Sequence, residues 1–535
     1  MTARTDALVA ATLKRFHEKA AGAAAYALIY LHVRRGGRRG REAWVALPYG
    51  AATFARMAHE AFAESDGALE ATLHYDAQPL RGDAQAWAMS NETRGLIGFG
   101  VRIDDRLRVA APNQTIASNR APRRELARLR GLDPNTRLAL PGPLTVFETD
   151  QLLLSADFAE GWRSLERARR ARGRSHLDAD GFTRFWRGLA GWLAAQTDQT
   201  GALTYKYWPS RGEVAPSDNT IRQFLGTLAL GRAAARLQCE LARDVAARNL
   251  KAACAAYLQD RDDHAVAFWG GSAKLGAAAL AALALYESGD ERLRTRWLEK
   301  LSAGVDRLWS PSGAFRTFHE PLDRNDNQNF YPGEALVFWA ARLARSPAIA
   351  DRIARSFDYY RDWHRANPNP AFAPWHTIAY AALYAATGEA RYRDFIFEMN
   401  DWIVSLQQLD DAPAADMRGR FYAPERPDYG PPHSSSTAVY LEGLVAAADV
   451  ADAAGDTRRL RRYARAIAEG FANLESLQFM TLEDFFYVSK RDRVIGGLRT
   501  EGYDNTLRVD NAAHALLAAL SLMDRPNVRR AAGLS

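Results

Sequence analysis

The chain is predicted to be mainly α: an (α/α)6 toroid, a barrel of six helical hairpins, preceded by a small α+β domain. Three observations lead there. From Phe182 onward apolar residues recur at helical spacing almost throughout, and six of these segments are apolar on every side. Between them lie other helices with one apolar stripe and one charged face. A helix apolar all round has to be covered all round, whereas a striped helix covers its neighbour and faces water. Two concentric rings of helices meet both demands. The third observation is that the connecting segments are long and aromatic before each apolar helix and short after it.

The leading region, residues 1–155, has another texture. "MTARTDALVAATLKRFHEKAAG" reads as an amphipathic helix, because its charges interrupt any secretory core. Runs rich in β-branched and aromatic residues follow: "AYALIYLHV" (Ala25–Val33), "EATLHYD" (Glu70–Asp76), "GLIGFGVRI" (Gly95–Ile103) and "LTVFETDQLLL" (Leu144–Leu154). "AATFARMAHEAFAES" is helical in pattern. Residues 156–181 include the arginine-dense "SLERARRARGRSHLDADG", which reads as a charged, solvated linker helix. The toroid then occupies residues 182–535.

The apolar helices start at Ser217 ("SDNTIRQFLGTLALGRAA"), Gly270 ("GGSAKLGAAALAALALYES"), Tyr331 ("YPGEALVFWAARLA"), Pro374 ("PWHTIAYAALYAATG"), Ser434 ("SSSTAVYLEGLVAAADVA") and Arg508 ("RVDNAAHALLAALSL"). Charged-face helices such as "LARDVAARNLKAACAAYL" and "TRRLRRYARAIAEGFANLES" alternate with them. Repetition of one unit at this spacing fits a ring of hairpins with insertions on one face. All inner helices then point the same way. Their N-terminal loops, for example "YKYWPSRGEVAPSDN" and "FRTFHEPLDRNDNQNFYPGE", gather at one mouth, while "ESGDER", "TGEAR" and "AGDTR" close the other end. Long loops on a rigid scaffold carry function, and six helix N-termini give the mouth a partly positive rim.

These hairpins, with "SDNTIRQFLGT", "YPGEAL", "PWHTIAYAALYAATG" and "RVDNAAHALLAAL", resemble the six-hairpin glycosidase-like superfamily over about residues 180–525. The resemblance implies carbohydrate chemistry, either hydrolysis or cofactor-free epimerisation of the N-acylglucosamine 2-epimerase kind. LanC-like cyclases share the toroid, but Cys239 and Cys254 fall outside the mouth, where that chemistry needs a zinc site.

Glycoside hydrolysis needs two carboxyl groups, one protonated and one ionised. The catalytic candidates at inner-helix starts are Asp218, Glu334 and Asp510. Asp218 and Asp510 also suit helix capping, and Glu334 in a first turn also gains from the helix dipole. His376 joins them as a candidate acid–base group for epimerisation. Candidate substrate-binding residues are Arg222, Lys274, His433, Glu442 and His514, with aromatic platforms at Tyr205, Tyr207, Trp208, Trp269, Tyr331 and Trp375. A non-catalytic glycan- or peptide-binding toroid is a further alternative.

Bulk composition narrows the class. With 47% hydrophobic and 25% charged residues the chain is globular. Its net charge of +7 comes from arginines scattered over helices, which does not make a nucleic-acid footprint. Two cysteines exclude a disulfide framework. The expectation is a cytoplasmic enzyme acting on an intracellular oligosaccharide or glycoconjugate, with no cofactor, no metal, no nucleic acid and no membrane partner.

Overall fold

The computed structural model describes residues 2–21, 27–80, 90–104, 106–132, 144–170, 177–346, 348–481 and 485–535. The first helix, α1 (Thr2–Lys19), buries Thr5, Val9, Thr12 and Phe16, a stripe at helical spacing. With α2 (Ala51–Phe62) it covers one face of an antiparallel sheet. The sheet runs β2 (Arg38–Ala46), β1 (Leu28–Arg35), β3 (Ala68–Leu80), β6 (Leu144–Leu154), β4 (Gly98–Ile103), β5 (Arg106–Ala110). Ile29, Leu31, Val33, Leu69, Ala71, Leu73, Leu152 and Leu154 share the apolar face, as the two-residue period of strands requires. Short helices α3 (Pro112–Ser118) and α4 (Pro122–Leu129) complete the domain.

Residues 162–170 of the arginine-rich segment are not a linker helix, and residues 171–176 lie outside the described residues. Its described part forms β7 (Trp162–Glu166) and β8 (Arg169–Arg170), which extend the sheet from β6. Arg167 and Ala168 between them both have positive φ, the geometry of a two-residue hairpin turn. Arg167 and Arg169 are not solvated either. Both bind Asp416 of the helical domain, at 2.9 and 2.7 Å, and both are buried.

Six helices form the inner ring: α6 (Thr220–Leu237), α8 (Leu275–Glu287), α10 (Tyr331–Ala341), α12 (Ala373–Thr387), α14 (Ser434–Ala453) and α16 (Val509–Met523). Each packs on the next, and α16 returns to α6, so the ring closes. The outer ring is α5 (Ala179–Ala195), α7 (Glu240–Tyr257), α9 (Glu291–Arg307), α11 (Ala348–Ala366), α13 (Ala390–Ser405) and α15 (Thr457–Ser476). The first of these, α5, lies against the last inner helix, α16, so the start of this domain completes its final hairpin. Every residue of α8 from Leu275 to Leu285 is buried, which explains a run of alanine and leucine with no polar face. Close approach needs glycine at Gly443, where a Cβ would stand 2.8 Å from the Pro374 backbone. The last helix, α17 (Pro526–Ala531), packs under α14 and α15.

The mouth loops contain more order than their sequence suggests. One sheet has the order β10 (Glu213–Val214), β9 (Lys206–Trp208), β16 (Asp504–Arg508), β15 (Arg499–Glu501). A second has the order β11 (Leu258–Arg261), β12 (His264–Trp269), β13 (Ser272–Lys274), β14 (Phe318–Glu320). The leading domain grips the β15–β16 hairpin. Arg94 donates to the Tyr503 carbonyl at 2.8 Å, Asn119 donates to Asp504 at 2.9 Å, and Asn505 donates to the Ile116 carbonyl at 2.7 Å.

At the opposite end the inner helices diverge around a hollow of about 760 Å³ that reaches inward to Glu442. Alanines of α10, α12 and α14 line much of it. Arg232–Glu287, Arg236–Asp524 and Arg525–Asp449 ion pairs surround its rim. Among the described residues no helix is long and apolar enough to cross a membrane.

Candidate active site

Glu334 stands in the first turn of α10, after Pro332 and Gly333, and is 4% exposed. Its Oε2 has no hydrogen-bond partner among the described residues. Gly276, in the first turn of the neighbouring α8, makes room for it: a Cβ there would fall 1.7 Å from that oxygen. Burial pushes the Glu334 carboxyl up to about 7, with the Arg222 and Lys274 charges drawing it partly back. This acid therefore keeps its proton close to neutrality.

Asp218 precedes α6 but does not cap it; the neighbouring Asn219 does, accepting from the Ile221 and Arg222 amides. Asp218 instead accepts from the Tyr257 hydroxyl at 2.6 Å, the Gln223 amide at 2.7 Å and the Asn219 backbone N–H at 2.7 Å. These three donors fix a half-buried carboxylate at the ring's edge.

Asp510 is differently placed. It is wholly buried in the first turn of α16, 3.1 Å from Arg222 Nε, and Arg508 grips both its oxygens, the Nε contact being 2.9 Å. Burial alone would raise its pKa, but Arg222 and Arg508 outweigh that and hold it below the usual carboxylate range. Asp510 is thus paired with Arg222, whose charge also reaches Glu334.

His376, expected at the mouth, is enclosed in the wall. Its ring stacks on Phe372 at 3.6 Å and 12°, and Nδ1 lies 2.9 Å from the Phe372 carbonyl. Burial lowers its pKa to about 3, so it stays neutral. His433 is half-buried just before α14, and its Nδ1 is buried and unpartnered among the described residues. Burial and Arg508 lower its pKa, while Asp510 opposes them. Glu442 and His514 lie deeper, joined at 2.7 Å, as a floor between the mouth and the hollow of the far end.

The aromatic candidates divide. Strand alternation turns Tyr207 into the core, 2% exposed, and leaves Lys206 and Trp208 on the other side. Arg211 covers the Trp208 ring at 4.9 Å. Trp269 is 48% exposed and meets Tyr257 edge-on at 5.8 Å. Tyr331 is largely buried; burial and then the Glu334 charge raise its hydroxyl pKa. Tyr205 is half-buried, its pKa raised by burial and then by Asp510. Trp375 approaches His514 at 6.1 Å. Lys274 is half-buried, and burial, then Arg324 and Arg222, lower its pKa.

Tyr257, Arg508 and Arg324 were not among the sequence candidates. "RVDN" held a signal for Arg508, two residues before Asp510 and therefore able to reach the same carboxylate. Tyr257 ends an outer helix, where nothing local marks it.

No family model and no curated protein matches this chain. Solved structures do resemble it. One is an unsaturated glucuronyl hydrolase specific for heparin, with 14% identity and a TM-score of 0.48 over 65% of this chain and 98% of that one. D-mannose isomerase matches with 10% identity and a TM-score of 0.49 over 66% and 100%. Cellobiose 2-epimerase from Bacillus thermoamylovorans matches with 12% identity and a TM-score of 0.47 over 64% and 99%. At such identities and scores these likenesses carry nothing about activity. The helical domain is a six-hairpin toroid because its own inner helices close into a ring.

Proposed function

We propose that the mouth of the ring is the active site of a carbohydrate-active enzyme that cleaves a glycosidic bond. Glu334 is the general acid and Asp218 the partner carboxylate. The observation that carries this reading is Glu334 itself: a desolvated acid with a bare oxygen and a pKa of about 7, at the converging end of six helices. An acid tuned near working pH can protonate a leaving oxygen. Asp218, oriented by Tyr257, Gln223 and Asn219, then activates water or attacks the sugar carbon. Trp269, 48% exposed, offers a face for a sugar ring. Lys274, crowded by Arg222 and Arg324, is a cation whose repulsion a carboxylate or sulfate on the sugar would relieve.

One observation favours a second reading. The bare Nδ1 of His433 beside Asp510 suits proton transfer at a sugar carbon, with His514 as the other histidine. Product NMR in D2O on a panel of oligosaccharides, including uronate-bearing ones, separates the two. Hydrolysis releases a new reducing end with no deuterium on carbon, whereas epimerisation places deuterium on carbon. Retention of full hydrolytic activity by Glu334→Gln would sink the first reading.

A further inference from the structure

The hollow at the C-terminal end of the inner ring takes no part in the reaction proposed for the mouth. Its volume, about 760 Å³, falls within the range of small-molecule sites, ~300–1,000 Å³. Ile378, Ala381, Ala382 and Ala385 of α12 all line it. Their spacing of i, i+3, i+4 and i+7 puts them on one face of the helix. None of the four is fully buried, so this apolar stripe lacks a covering element. The alanines of α8 differ, because that helix is buried from Leu275 to Leu285 and uses them for close approach.

The charges around the hollow single out one residue. Arg232, Arg236 and Arg525 line it, and each has its own acid: Glu287 at 2.7 Å, Asp524 at 3.0 Å and Asp449 at 3.0 Å. Glu442 lines the inner end, and no lysine or arginine pairs with it among the described residues. It is 5% exposed. Its Oε1 lies 2.7 Å from His514 Nδ1, while its Oε2 makes no hydrogen bond among the described residues. An enclosed carboxylate oxygen of this kind is costly unless a donor reaches it.

Wall and floor together set the chemistry of an occupant. The stripe on α12, with Leu283 and Leu517 facing the same space, asks for an apolar body. The open oxygen of Glu442 asks for a donor, and a cationic donor makes the stronger bond to a carboxylate. An anion would meet Glu442 with the same sign. The Glu442–His514 pair stands between this space and the mouth. We infer that the hollow is a second ligand site for an organic cation with an apolar chain, such as a primary alkylamine. Its ammonium group meets Glu442 and its chain lies along α12.

Isothermal titration calorimetry on the full-length chain with hexylammonium, 1-hexanol and hexanoate, probes of one chain length, tests this. Hexylammonium is expected to bind, with 1-hexanol about tenfold weaker or more and hexanoate weaker still, since both lack the ionic contact. Glu442→Gln should abolish the preference for hexylammonium over 1-hexanol. Ala382→Phe, which fills the space beside α12, should raise the Kd of hexylammonium about tenfold or more. Lys274→Ala, at the mouth, leaves that Kd unchanged. Should Glu442→Gln fail to fold, the ranking of the probes on the unaltered chain carries the charge test; should Ala382→Phe fail, Ala385→Phe at the exposed end of the stripe replaces it. The inference is overturned if hexylammonium does not bind or if 1-hexanol or hexanoate binds as tightly. It is equally overturned if filling the hollow leaves binding unchanged, or if Lys274→Ala weakens it. Such a failure leaves the proposal for the mouth untouched, since Glu334 takes no part in it.

Discussion

The two ends of the inner ring are made by the same six helices and are charged in different ways. At the C-terminal end arginines and acids are matched one to one around an alanine-lined hollow, and each pair reaches water. At the N-terminal end Arg222 and Arg508 share Asp510, but Glu334 keeps a bare oxygen among the described residues and Lys274 sits among arginines. Packing explains the first arrangement without help. The second costs stability, and a fold keeps such a cost where chemistry needs it.

The sharpest way to break this contrast is Glu334→Gln. It should lower turnover by about 10²–10⁴-fold, the range for removing a general acid, with folding intact; steady-state kinetics on the hydrolysed substrate check it. Asp510→Ala should act on the fold instead. It strands Arg222 and Arg508, and a loss of about 3 kcal/mol in denaturant melts is expected, at the low end for a broken buried pair because both arginines reach solvent.

Linkage gives a third test. The Glu334 carboxyl holds its proton to about pH 7 in the fold, against an ordinary value of 4.5. Between those values the folded chain binds more protons than the unfolded one, so this group makes stability fall as pH rises through the window. The difference is on the order of 3 kcal/mol, and Glu334→Gln should remove it when melts at pH 5 and pH 7.5 are compared. The smallest effect belongs to the far end. Asp449→Ala breaks an exposed pair with Arg525, and a change of ~0.5 kcal/mol with unaltered turnover is expected. A large loss of turnover there would erase the distinction between the ends.

Much of the ring was legible because an inner helix has no polar face to hide. "LGAAALAALAL" can only be surrounded, and α8 is. Glu334 was legible for the same reason, as a carboxylate in an otherwise apolar helix. What was not legible depends on distant partners. The arginine run read as a solvated helix because nothing near it shows that Asp416 would bury Arg167 and Arg169. Tyr207 was grouped with Trp208 because a segment read as loop has no alternation, whereas β9 turns them to opposite sides. His376 read as a mouth residue, yet Phe372 one helical turn earlier stacks on it and takes it into the wall.

The grip of the leading domain on the β15–β16 hairpin has a mechanical consequence. From the Asn505 and Asp504 contacts, β16 runs straight into Arg508, Val509 and Asp510 without a flexible joint. The front third of the chain therefore sets the angle at which two guanidinium groups face the bowl. A shift in how it seats would be transmitted down one short strand to Arg508 and Asp510.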